Sequence, residues 1–156
     1  MAWPPEQLGD LDIALVNHLC AEGLPGSEDL DIPKVRQTLD LWATAVRGAT
    51  ERQLYMFHRN PADYEDSEPY FRMLVLLTVL QLDLGVHYNM DRVNDPDFGN
   101  SKDQFLHGMV NCDNGGTCVS MPVLYVAVGR RLGYRSRYCR ERHHSNRLFL
   151  EVERAW

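Results

Sequence analysis

A chain of 156 residues is long enough to bury the core of one domain and too short for two ordinary ones, so a single domain over residues 1–156 is expected. Hydrophobic residues at 44% and charged residues at 24% are typical of globular proteins, and no apolar run reaches the ~18 residues of a membrane span. A net charge of -6 argues against a partner held by phosphate neutralisation, so neither nucleic acid nor membrane is expected, although Arg130, Arg131, Arg135, Arg137, Arg140 and Arg142 form a local basic cluster.

The opening MAWPPEQLGDLDIALV has neither the basic start nor the small-residue cleavage site of a secretory signal, which points to the cytoplasm. The four cysteines, Cys20, Cys112, Cys118 and Cys139, are then expected as reduced thiols.

Residues 1–84 read as helical. Leu8 to Cys20 places Leu11, Leu15 and Leu19 on one stripe, and EGLPGSEDLD supplies the breakers of a loop. Asp31 is a natural N-cap with Pro33 in the first turn, after which Val35, Leu39, Trp42 and Val46 repeat at helical spacing and Gly48 marks a weak point. Thr50 to His58 extends this helix as far as RNPADYEDSEPY, where Asn60-Pro61 favours a turn and Pro69 opens the next helix. From Phe71 to Leu84 the chain is apolar almost all round, as a buried helix is, with Gly85 as its stop.

Residues 85–156 read as a loop, a helix and a hairpin. Val86 to Asp103 is rich in Asn, Asp, Pro and Gly, a long irregular segment of the kind that walls a pocket. Gly115-Gly116 leads into an apolar run from Val119 to Val128 that Gly133 closes. Leu148, Leu150 and Val152 then alternate with Phe149, Glu151 and Glu153 at the period of a half-buried strand, and Arg135 to Cys139 is its weaker hairpin partner. Helices followed by hairpin strands imply an α+β fold, with the helix after Gly116 packed on a short antiparallel sheet.

The motif that carries chemistry is GGTCVSMPVLY, which sets Cys118 between a glycine turn and an apolar helix. Unpaired N–H groups and the helix dipole favour the thiolate at that position, and the same N–H groups stabilise an oxyanion, with Asn111 or Asn114 as a second donor. Gly115 and Gly116 allow a tight turn and close approach of a substrate, and Pro122 costs little so near the first turn. An arbitrary cysteine at a helix start is more often a small buried residue; the motif around Cys118 sets it apart.

GGTCVSMPVLYVAVGRRLGY resembles the nucleophile segment of bacterial transglutaminase-like domain proteins, members of the papain-like thiol superfamily. The resemblance reaches back through GVHYNMDRVNDPDFGNSKDQFLHG and so runs from Gly85 to Tyr134. It implies a Cys–His–Asp triad, the cysteine on a central helix and the histidine and acid on adjoining antiparallel strands, working by acyl transfer or hydrolysis without a cofactor. Cys118 matches the cysteine. The base is expected a short way past the glycine–aromatic pair and directly before an apolar strand: the first condition selects His144, with His143 as the alternative, and the second selects Arg147. An always-charged arginine cannot be a general base. The acid belongs beyond the histidine, and up to Trp156 only Glu151 and Glu153 stand there. With few strands to cover Leu148, Leu150 and Val152, either pairing with a second copy through the C-terminal strand or a truncated, partly degenerate product is expected, the dimer being preferred.

A zinc site drawing on Cys112, Cys118, Cys139, His107, His143 and His144 has no close Cys-x-x-Cys pair, so no metal is expected. His107, nearest the motif, is placed with Asn111, Asn114 and Gly116 as a pocket residue. The reading is cysteine-dependent acyl transfer or amide or peptide hydrolysis on a protein, peptide or small amide, with Cys118 as nucleophile and His144 as base. The alternative is a catalytically degenerate domain of the same type acting as an interaction or scaffold protein.

Overall fold

The computed structural model describes residues 11–95, 97–110 and 113–134. Helix α1 (Ile13–Ala21) begins at Asp12, whose carboxylate accepts the Ala14 N–H at 3.0 Å. Its buried face is Ala14, His18 and Ala21, while Leu11 and Leu19 are exposed, so the expected leucine stripe is not the inward one. The His18 Nδ1 bonds to the Ala14 carbonyl one turn back. The helix packs on the short helix α5 (Leu106–Val110), whose first N–H donates to Asn17 Oδ1 at 2.9 Å.

Helix α2 (Ile32–Arg59) starts as its sequence requires: Asp31 accepts the Lys34 N–H at 2.9 Å, and Pro33 sits where a missing N–H costs nothing. Val35, Leu39, Ala43, Val46 and Ala49 form its buried stripe, and the helix continues through Gly48 unbroken. A 3-10 turn, Pro61–Tyr64, leads to α3 (Glu68–Thr78), where Ser67 accepts the Tyr70 N–H at 3.3 Å. Phe57, Tyr64 and Phe71 pack together, Tyr64 edge-on to Phe71 with ring centroids 5.0 Å apart, whereas Tyr55 and Tyr70 are exposed. α3 runs into a π-helical turn, Val79–Asp83, in which Leu82 is 79% exposed, so this apolar segment is not buried all round.

The helices α4 (Ser101–Gln104) and α5 precede α6 (Ser120–Arg131), which buries Leu124, Val126, Ala127 and Val128. Its end is a Schellman motif: the Tyr134 N–H donates to the Gly129 carbonyl at 2.9 Å and the Gly133 N–H to the Arg130 carbonyl at 3.0 Å. Arg131 Nε lies 2.8 Å from Asp40 Oδ1, so this member of the basic cluster is ion-paired. The described residues form two compact units, 11–36 with 88–127 and 37–87 with 128–134.

The α+β expectation is overturned. Among the described residues 67% are helical and no strand occurs; an isolated parallel bridge joins Tyr88 and Gly116. Within residues 86–100 the Asn89 carboxamide accepts the Asp91 N–H and the Asp97 carboxylate accepts the Gly99 N–H, local bonds of turns and not of a strand ladder. The expected hairpin, 135–139 with 148–152, lies outside the described residues. Among the described residues no helix is long and apolar enough to cross a membrane.

Gly133 has φ +80° and open space around its Cα, so the cost of a side chain there is purely conformational. Gly133→Ala is expected to lower stability by about 1–2 kcal/mol, measured by urea unfolding.

Candidate active site

The segment Thr117-Cys118-Val119-Ser120 is a reciprocal helix cap. The Thr117 N–H donates to Ser120 Oγ at 2.9 Å, the Val119 N–H donates to Thr117 Oγ1 at 3.3 Å, and the Met121 N–H closes the first turn on the Thr117 carbonyl at 3.0 Å. This is a capping box with serine in place of the usual glutamate, and it makes Cys118 the first residue of the α6 turn. Thr117 and Ser120 are buried, and the Cys118 side chain is exposed.

The Cys118 N–H has no partner inside the helix and donates instead to Tyr88 Oη at 2.9 Å. Tyr88 is held in place by its neighbours: the Asn89 N–H donates to the Gly116 carbonyl at 2.8 Å, and Asn89 Nδ2 donates to the Asn114 carbonyl at 2.7 Å. Gly115 makes that pairing possible. It has φ +73°, and a Cβ there would stand 2.9 Å from the Asn89 nitrogen. At Gly116 the corresponding space is filled by the sulfurs of Met109 and Met121. The two glycines therefore admit the protein's own chain, where the sequence had suggested room for a substrate.

Beneath this loop lies Asp103, only 2% exposed. Its Oδ1 accepts from Asn114 Nδ2 at 2.9 Å, its Oδ2 accepts the Asp97 N–H at 3.0 Å and faces Arg92 Nε at 3.2 Å, and its carbonyl accepts from Thr117 Oγ1 at 2.7 Å. One buried acid thus binds the 88–104 segment to the cysteine turn.

Burial raises the Tyr88 phenol above its ordinary value and the Cys118 charge adds to this, outweighing the opposing pull of the Cys118 N–H. The phenol keeps its proton at neutral pH; it can give a hydrogen bond but cannot take the thiol's proton.

His107 is 1% exposed, with Nε2 3.3 Å from the Gly26 carbonyl and 3.2 Å from Ser101 Oγ, and its ring stacks on Phe105. Its buried Nδ1 has no hydrogen-bond partner. Burial pushes its pKa below the ordinary histidine value, and these contacts make it a core residue, where the sequence placed it in a pocket. Asn114 belongs to the cysteine loop, but its amide is committed to Asp103. Asn111, Cys112, Cys139, His143, His144, Arg147, Glu151 and Glu153 lie outside the described residues. Among the described residues no group of three or more His, Cys, Asp or Glu could hold a metal ion.

Tyr88 and Asp103 were not singled out in the sequence. Both fall within the segment that carries the family resemblance, but Tyr88 stands 30 positions before Cys118, and no local spacing links them. No family model, curated protein or solved structure matches the chain.

Two outcomes are expected here. Asp103→Ala, which strands the Asn114 amide, the Asp97 N–H and Arg92, should cost about 2–3 kcal/mol in urea unfolding. His107 is kept neutral in the fold, so as pH falls below about 6.5 the unfolded chain takes up a proton that the folded chain resists, and stability is lost. Below that pH the melting temperature of the native protein should therefore fall more steeply than that of His107→Asn, with parallel curves above it.

Proposed function

We propose that this chain is a thiol acyltransferase or hydrolase of transglutaminase-like type, acting through Cys118 on the carbonyl of a protein, peptide or small amide. The observation that carries the reading is the exposed Cys118 side chain at the first position of the α6 turn, with its own N–H turned toward the Tyr88 hydroxyl. A thiolate there attacks the carbonyl carbon, the carbon–sulfur bond forms, and the carbon–nitrogen or carbon–oxygen bond breaks as the amine or alcohol leaves with the proton that the thiol gave up. Water or a second amine then takes the acyl group from the thioester.

The thiol's proton needs an acceptor, and Tyr88 is not one. The resemblance assigns that role to His144, with His143 as alternative, while Arg147 cannot perform it. The second reading, a scaffold domain without chemistry, draws on the fact that the Cys118 N–H is already satisfied within the protein.

Cys20 and Cys118 are both exposed, so Cys20 is an internal standard. At pH 7 iodoacetamide should label Cys118 about tenfold faster than Cys20, read by peptide mass spectrometry, because the proposed histidine base takes the Cys118 proton. His144→Ala should bring Cys118 down to the Cys20 rate. Slow, equal labelling of both thiols in the native protein would decide for the scaffold.

A further inference from the structure

We infer that Tyr88 is the second oxyanion donor of the Cys118 site, its hydroxyl hydrogen joining the Cys118 N–H on the oxygen of the attacked carbonyl. This rests on the reading of Cys118 as an acyl-accepting nucleophile.

When a cysteine sulfur bonds to a carbonyl carbon, the carbonyl oxygen comes within reach of that cysteine's own backbone N–H. In this structure that N–H is bonded to an oxygen already, Tyr88 Oη at 2.9 Å. The phenol thus marks where the oxyanion must sit, and an entering oxygen displaces Oη from the N–H without removing it from the site. The displaced hydroxyl then changes role, from acceptor of the N–H to donor toward the new oxygen. Its backbone stays anchored, since Asn89 is pinned to Gly116 and Asn114 and only the ring needs to turn. Asn114, the other candidate on this loop, is committed to Asp103. The raised phenol pKa fits the assignment, because a donor must keep its proton at neutral pH.

In the step itself the thiolate pair forms the carbon–sulfur bond and the carbonyl π pair moves to oxygen. The Cys118 N–H and the Tyr88 hydroxyl hold that charge. Collapse restores the carbonyl and expels the leaving group with its electron pair. Tyr88 lends a hydrogen bond and gives up no proton.

Two reagents separate this role from every other. Acylation by p-nitrophenyl acetate passes through an oxyanion and releases a phenolate that leaves without a proton; alkylation by iodoacetamide displaces iodide and forms no oxyanion. In the full chain, with Cys118 modification followed by peptide mass spectrometry, Tyr88→Phe should slow acylation about 100-fold and change alkylation less than about twofold. A rise in both rates would make Tyr88 a cap on the thiol, and no change in either would make it structural; each overturns the inference. Should Tyr88→Phe fail to melt cooperatively, 3-fluorotyrosine at position 88 keeps ring and hydroxyl and strengthens the donor. Acylation should then rise with alkylation unchanged, and an unaltered acylation rate overturns the inference. If native Cys118 reacts with neither reagent faster than Cys20, the acyl-transfer reading itself fails, whatever Tyr88 does.

Discussion

A carboxylate taken almost wholly out of water must be surrounded by donors, and Asp103 is surrounded by donors from separate stretches of chain. Arg92 and the Asp97 N–H come from the irregular segment before it, and the Asn114 amide comes from the turn after it. The Asp103 carbonyl adds Thr117. Segments that have no sheet ladder and little helix to order them are ordered by this one acid. The Arg92 partner is partly exposed, so the backbone and amide donors carry much of the compensation.

The position of the thiol follows from that anchor. With Thr117 tied to Asp103, the capping box fixes the start of α6, and the start of α6 fixes Cys118 as an exposed residue on a buried frame. Tyr88 reaches Cys118 because Asn89 is fastened to the same turn at Gly116 and Asn114. A thiol held this way is placed by the fold itself, as the proposed acyl chemistry requires.

The neighbourhood of Cys118 supplies donors: its own N–H and a phenol that stays protonated. Donors stabilise a developing negative charge, and in the proposed reaction the thiol's proton goes to His144 or His143, the bases that the resemblance offers.

Much of the helical frame was legible in the sequence. Asp31, Pro33, Pro69 and Gly133 mark helix ends through contacts within a few residues, so local composition is enough to place them. Cys118 at a turn-to-helix junction was legible for the same reason. What the tertiary structure alone decided is longer in range. Which face of α1 turns inward is a matter of tertiary packing: Ala14, His18 and Ala21 are buried, and leucine spacing alone pointed to the wrong face. The segment after Gly85 reads as irregular in the sequence and is so in the fold, but that its turns meet on the buried Asp103 is decided by the tertiary structure. The pairing of Tyr88 with Cys118 spans 30 residues and leaves no periodic trace. The sequence determined where helices begin and end, since capping is local; the fold decided what meets the thiol, since that contact exists only once distant turns share a buried charge.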